Sequence, residues 1–410
     1  MILHSDCNCF YASVEMCEHP ELRGKRVAVC GSTEDRHGIV LTASYPAKHL
    51  GVRTGMANWQ ARQVCPDLIM VPPHYELYLQ YSRAVRGIYR QYTDLIEPYG
   101  MDENWLGLPG REDLPGEGAR LAETLRKRVL QEIGITVSVG VSFNKIFAKL
   151  GSDRKKPDGQ TIITRENFRE IVWPLPAREL LWIGRATERK LLYRGVFTIG
   201  ELANTPPARL RDWFGINGLM LWRYANGMDD APVAPLGYAP DTLSVGHGTT
   251  CQRDLLTEEE VWPVLYELSQ DVGHRLRVGR FLADGVQIAV RDCDLGWEQY
   301  QSPLPAPTRS PFELAQAGYA LFRRRYHWAR PVRALTIRGI RLLPDNVPMQ
   351  TDLFSRQEKR EKRRQLDDAV DELRRRFGTN VVSPASLLGE IPLARDRCEI
   401  VPLPGMPVRA

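Results

Sequence analysis

Along the first 165 residues the spacing of apolar positions switches between a period of two and a helical period. Residues 2–5, 26–29 and 137–141 read as strands. In the last of these, Val137, Val139 and Val141 share one face while Ser138 and Gly140 share the other. Between them, 75–92 and 118–132 carry helical periodicity. From about 174 to 235 the pattern is helical with short loops. Residues 180–195 place an apolar helix, a glycine turn and a basic helix in succession, and 214–227 repeat the idea.

The segment 226–242 is rich in Gly, Pro, Asp and Ala and reads as a linker. After it come a strand (243–250), a helix (257–278), strands at 285–290 and 297–301, a helix (311–326) and a strand (332–342). That β-α-β-β-α-β order predicts a ferredoxin-like module. The tail from 344 differs: 350–354 is a short apolar anchor in a polar stretch. A charged helix over 357–377 follows it, with Leu366, Val370, Leu373 and Phe377 on one stripe.

Composition narrows the class. A chain of 410 residues calls for two to four domains, and 43% hydrophobic with 26% charged residues is globular usage. No run of 18 uncharged apolar residues predicts a membrane span, and the chain opens on a strand without a leader pattern, so a cytoplasmic location is expected. The eight cysteines are scattered without CxxC pairs or zinc spacing, which predicts reduced thiols; Cys7 and Cys9 are expected on one strand face.

Formal net charge is only +5, yet the basic residues cluster. Arg275, Arg277 and Arg280 end one helix of the C-terminal module; Arg323, Arg324, Arg325 and Arg330 end the other. Arg333, Arg338 and Arg341 decorate its last strand. Basic residues favour helix C-termini in any protein, but this many on a four-stranded module point to a phosphate backbone. Gly184 and Gly218 would let backbone amides approach a phosphate closely, although a plain helical connector also uses such glycines.

The chemistry concentrates in carboxylates. Asp6 ends the first apolar strand, and Asp102-Glu103 interrupt a second half-apolar run. Strand-end carboxylates that converge in one sheet are what two hard divalent cations require for in-line attack on a phosphate. A single strand-end Asp is more often a turn residue. Asp102 and Glu103 are adjacent, so on a flat strand they would point apart; Pro98-Tyr99-Gly100 supplies the turn that lets both serve one site.

Four segments, taken together and in order, resemble the Y-family translesion DNA polymerases, on the DNA polymerase IV (DinB) branch. They are Asp6–Glu15, Leu41–Met56, Gly100–Leu106, and Val139–Leu150 with Lys155–Gly159. The resemblance implies an α+β right-hand polymerase with palm (1–10 and 75–165), small fingers (11–74), a helical, helix-hairpin-helix-like thumb (166–233), a linker (234–242) and a ferredoxin-like little finger (243–343). Residues 344–410 would be a tail carrying a clamp-binding peptide and a helix.

The same resemblance implies the site. Asp6, Asp102 and Glu103, with the Cys7 carbonyl, would hold two Mg²⁺ ions, with Mn²⁺ as a substitute. Tyr11 matches the steric gate against a 2′-hydroxyl, next to Phe10. Thr42, Tyr45, Lys48 and Lys156 match the triphosphate grip, and Ile39 and Leu41 the roof over the templating base. Gly184, Arg185, Gly218, Arg333, Arg338 and Arg341 would bind DNA, and Gln350, Leu353 and Phe354 a sliding clamp. The expected partners are primer-template DNA, dNTP and the clamp, in a monomer of the bacterial cytoplasm associated with the nucleoid and without membrane contact.

Several positions depart from the family pattern. Asn8 replaces an Asp, Lys48 an Arg, and Gly100, Asn104 and Gly107 replace Ser, Ala and Asp. Trp182 occupies a slot where a hairpin glycine is common. The expected activity is low-fidelity translesion synthesis without proofreading, because no further acidic cluster is present. The alternatives are a catalytically silent, clamp-tethered accessory protein and a nucleotide cyclase; a cyclase leaves the C-terminal segments without a role.

Overall fold

β1 (Ile2–Cys7) is buried along almost its whole length although its sequence is half polar. Polar side chains on its two faces find partners: His4 Nδ1 pairs with Ser152 Oγ at 2.9 Å, and Ser5 Oγ with the Tyr89 hydroxyl at 2.6 Å. That arrangement places β1 at the centre of a sheet with helices on either side. The computed structural model describes residues 1–31, 38–110, 115–238, 241–347, 357–379 and 381–387. The chain forms two compact units that divide between residues 238 and 239.

In the first unit, α1 (Phe10–Glu18) follows β1 and leads to β2 (Val27–Cys30), β3 (Val40–Ala43), α2 (Tyr45–His49), α3 (Asn58–Val64) and β4 (Ile69–Val71). These three strands make a small sheet in the order β3-β2-β4. Next come α4 (Tyr75–Tyr89), β5 (Ile96–Pro98), β6 (Glu103–Gly107), α5 (Pro115–Ile133), β7 (Val137–Ser142), α6 (Lys145–Arg154) and β8 (Gln160–Ile163). The main sheet runs β5-β6-β1-β7-β8, with β1 antiparallel to both of its neighbours.

Periodicity misses α6, and glycine explains how that helix sits so close to the sheet. A Cβ at Gly140 would lie 1.9 Å from the Ala148 carbonyl oxygen, so the α6 backbone packs directly on β7. Periodicity misses the short elements β3, β4, α2 and α3 as well; β4, α2 and α3 span only three, five and seven residues.

A helical region completes the unit: α7 (Phe168–Val172), α8 (Arg185–Leu192), α9 (Ile199–Asn204), α10 (Pro207–Phe214) and α11 (Ile216–Ala225). Its core gathers Phe147, Leu180, Leu191, Leu202, Leu210 and Leu221. A turn precedes α8 and another joins α10 to α11.

The second unit contains β9 (Ser244–Leu255), α12 (Val261–Val278), β10 (Phe281–Asp292), β11 (Trp297–Thr308), α13 (Pro311–Arg325) and β12 (Val332–Pro344). The strands form one antiparallel sheet, β11-β10-β12-β9, and run to 12 or 13 residues, longer than their patterned cores. Val286, Ile288, Leu335 and Ile337 pack with Leu268, Val272, Leu276, Leu314 and Phe322 of the helices, so both helices cover one face. The other face carries Gln287, Arg291, Thr336 and Arg338 by strand alternation.

The last helix, α14 (Gln357–Phe377), packs back on this unit through its charged side. Arg277 forms a two-pronged pair with Asp371 (2.6 and 2.8 Å), and Arg360 another with Glu313 (2.9 and 3.0 Å). The apolar stripe does not drive the docking: Leu366, Leu373 and Phe377 are exposed. Among the described residues no cysteine is in a disulfide. Cys9 does not share a strand face with Cys7: β1 ends at Cys7, and Cys9 turns left-handed (φ 48) to start α1.

Candidate active site

The register of β1 on β6 sets Asp6 directly opposite Glu103. Asp102 stands just outside the pleat, where the Cys7 amide donates to its carbonyl at 3.0 Å. The break needed for neighbouring carboxylates to face one place is present: Gly100 takes φ 91 in the turn joining β5 to β6, and the Tyr99 amide donates to the Glu103 carbonyl. Three acids from two segments thus meet at one end of the sheet.

Burial governs their electrostatics. It pushes Asp6 up to about 7, despite the opposing charge of Lys156, and Asp102 up to about 6. Burial acts on Glu103 in the same sense, but the His4 contact and the Lys149 ammonium bring it down to about 2. Lys156 Nζ donates to Asp6 Oδ2 at 2.6 Å and lies 2.8 Å from Asp153. Lys149 Nζ sits 2.8 Å from Glu103 and 3.9 Å from Asp6. His4 Nε2 approaches Glu103 Oε2 at 3.4 Å, and burial lowers the pKa of its ring.

Hard oxygen donors in a buried cluster suit divalent cations. As the side chains stand, among the described residues no three His, Cys, Asp or Glu groups are spaced to hold one ion. The lysine ammonium groups lie against those oxygens instead. The donor set therefore fits Mg²⁺ in chemistry, with the lysines supplying the counter-charge.

Tyr11 lies beside this cluster on α1. Its ring stacks on Tyr78 at 4.4 Å and meets Tyr75 edge-on at 6.1 Å, while burial pushes its phenol up to about 12. Tyr78 in turn donates to the buried Glu15 carboxylate, so the stack has an anchored base. Phe10 is buried beneath it.

From the start of α2, Tyr45 reaches the same place: its hydroxyl lies near Cys9 and feels the charges of Lys156 and Asp6. Lys48 is exposed, with its ammonium 5.3 Å from the Tyr45 ring centroid. Thr42 is paired with Val29 on β3; Leu41 is half-buried, and Ile39, bridged to Ala57, is exposed. Asn8 is fully engaged: its Nδ2 donates to Ser138 Oγ (2.9 Å) and its Oδ1 accepts from the Asp158 amide (2.8 Å). It ties the loop carrying Lys156 to β1.

The remaining candidates are spread over both units. Gly184 starts α8 with open space where a side chain would stand, and Arg185 is exposed. Gly218 is different: it is buried inside α11, and a Cβ there would lie 2.0 Å from the Leu210 carbonyl oxygen. Its glycine serves helix packing, and its backbone is not open to a phosphate. Arg338 lies across Gly246 on the polar face of the second sheet, Arg333 is half-buried, and Arg341 donates to the Asp284 carbonyl at 2.6 Å. Gln350, Leu353 and Phe354 lie outside the described residues.

Sequence reading passed over Lys149, His4 and Arg291. Lys149 was visible inside a recognised motif, but nothing in the pattern says which of its residues point inward. Arg291, 5.4 Å from the Trp297 ring, needed the strand's full length.

The impB/mucB/samB family pattern matches residues 5–153, and its C-terminal domain pattern matches 242–353. The DNA polymerase IV of Acetivibrio thermocellus is 45% identical over 96% of this chain and 99% of its own length. The chain belongs to the Y-family of DNA polymerases. It falls on the family's DNA polymerase IV branch: the Bacillus subtilis relative called DNA polymerase IV 1 is 37% identical over 95% of this chain and 93% of its own. The fold agrees with the family. A Y-family polymerase chimera superposes with a TM-score of 0.74 at 24% identity, covering 84% of this chain and 99% of that one. A ternary insertion complex of Dbh DNA polymerase reaches 0.57, over 83% and 98%. Among the described residues no helix is long and apolar enough to cross a membrane.

Proposed function

We propose that this DNA-directed DNA polymerase copies damaged templates by two-metal nucleotidyl transfer, at low fidelity and without proofreading. The observation that carries the reading is the meeting of Asp6, Asp102 and Glu103 at one buried sheet end, with Tyr11, Tyr45 and Lys156 around it.

Asp6, Asp102, Glu103 and the Cys7 carbonyl would hold two Mg²⁺ ions, with Mn²⁺ as a substitute. When bound, these supply a deprotonated primer 3′-hydroxyl and neutralise triphosphate charge. The protein's own residues do the rest. Lys156, Lys48, Tyr45 and Thr42 orient the triphosphate, and Tyr11 presents its ring to the sugar. Ile39 and Leu41 cover the templating base.

In this reading 1–10 with 75–165 are the palm, 11–74 the fingers, 166–233 the thumb and 243–343 the little finger. Gly184, Arg185, Arg333, Arg338 and Arg341 track duplex phosphates, giving salt-dependent binding without base readout. The peptide Gln350–Phe354 tethers the chain to a sliding clamp in the bacterial cytoplasm, with Leu353 and Phe354 as anchors.

The test is extension of a labelled primer on one template by purified wild-type, Asp6→Asn and Glu103→Gln proteins with Mg²⁺. Wild-type extension, with a loss of at least about 10³-fold in each variant, is expected. No extension by the wild type would favour a clamp-tethered accessory protein. Leu353→Ala with Phe354→Ala should remove only the stimulation by the clamp; equal loss of unassisted synthesis would reject the tether.

A further inference from the structure

Two turns in the helical region each hold one residue at a positive φ. Between α10 and α11, Gly215 takes φ 62; in the turn entering α8, Trp182 takes φ 73. Glycine adopts that conformation freely, whereas a residue with a Cβ does so against steric repulsion. Burial does not compensate the indole: Trp182 is 59% exposed, and it has no ring contact among the described residues. Its neighbours Leu180 and Ile183 are buried and already hold the turn. The fold therefore gains nothing visible from tryptophan at a position where glycine would be relaxed. A strained, exposed aromatic of this kind points to a contact made outside the chain.

The surroundings say what kind of contact. Two residues on, Gly184 leaves the backbone open, and Arg185 is an exposed cation. Along α8, Arg189 and Lys190 are exposed as well. An indole offers a flat apolar face to deoxyribose carbons and one N–H to a phosphate oxygen, while guanidinium groups pair with the phosphates on either side. Apolar side chains are exposed farther along at Leu192, Tyr193 and Phe197, but what adjoins Trp182 in the chain is the open backbone of Gly184 and the Arg185 cation, which suit a phosphate.

We propose that Trp182 is a nucleic-acid contact of this chain, laid against the sugar–phosphate edge of the primer-template duplex beside Gly184 and Arg185. The inference rests on the polymerase reading above and adds a residue that departs from the family's hairpin pattern.

The experiment compares full-length wild type, Trp182→Gly and Trp182→Phe by fluorescence anisotropy with a labelled primer-template at fixed salt, and by thermal melting. Trp182→Gly should weaken binding about tenfold while melting at or above the wild-type temperature, because the strained φ is relieved. Trp182→Phe should retain most of the affinity. Wild-type affinity in Trp182→Gly overturns the proposal, and so does a loss of affinity accompanied by a lower melting temperature, which assigns the indole to the fold. A wild-type chain that neither binds nor extends primer-template rejects the polymerase reading itself, a result distinct from either.

Discussion

The Lys156 ammonium donates to Asp6 Oδ2 at 2.6 Å, joining residues 150 positions apart and placing a cation on the central carboxylate of the site. Burial would discharge Lys156, but Asp6 and Asp153 hold its pKa above the usual lysine range, so it is charged throughout the physiological window. A charge so placed can move between the carboxylate and an incoming triphosphate. Lys156→Met should raise the KM for dNTP about tenfold or more, the worth of one charge-assisted hydrogen bond, with a smaller change in kcat. Steady-state incorporation kinetics measure both, and an unchanged KM would remove Lys156 from the triphosphate grip.

Sugar selection should depend on the Tyr11–Tyr78 stack. Tyr11→Ala opens the space its ring fills and should lower discrimination against ribonucleotides by about 10²-fold. Tyr78→Leu removes the ring on which Tyr11 lies at 4.4 Å and should produce a partial loss of the same kind. The ratio of kcat/KM for matched deoxy- and ribonucleotides reads both, and full selectivity in Tyr11→Ala would reject the gate.

Gly140 should be among the least tolerant positions for the fold. Alanine there would place a methyl group inside the α6 backbone, 1.9 Å from the Ala148 carbonyl oxygen. Gly140→Ala should cost about 3 kcal/mol, at the upper end for overpacking, because neither α6 nor β7 can shift without disturbing β1. Denaturant unfolding provides the measurement; a loss below 1 kcal/mol would mean that the helix can retreat.

The docking of α14 should be acid-labile. Burial would raise Asp371, but His274 and the two-pronged contact from Arg277 hold its carboxyl well below the usual range. A depressed carboxylate stabilises the folded form above its unfolded pKa of roughly 4 and loses that contribution as pH falls through the folded value. Hydrogen-exchange protection of residues 357–377 should thus decline as the pH falls below about 4. Asp371→Asn should reduce it at neutral pH by about 1–2 kcal/mol. Equal protection in the variant would show that Arg360–Glu313 suffices.

Long elements with a sustained period were legible from the chain: the strand carrying Asp6, the helix at 75–89 and the β-α-β-β-α-β order of the second unit. Local chemistry was legible too. A Pro-Tyr-Gly run before Asp102-Glu103 announced the turn, because glycine is the residue that accepts φ 91 there. Residue types alone also showed that Asp6, Asp102 and Glu103 offer hard oxygen donors of the kind divalent cations take.

What periodicity could not give was anything set by long-range partners. It did not show that Asp6 faces Glu103, since register is a property of two strands 97 positions apart. Nor did it show that Lys149 and Lys156 supply the counter-charge, or that α14 docks by its charged side and leaves its apolar stripe outside. Gly184 and Gly218 looked alike in the sequence. Packing separated them, because one has open space beside its backbone and the other has the Leu210 carbonyl. A sequence specifies which groups are available and what each can do; which groups meet, and which are buried, depends on the backbone approach that only the folded chain provides.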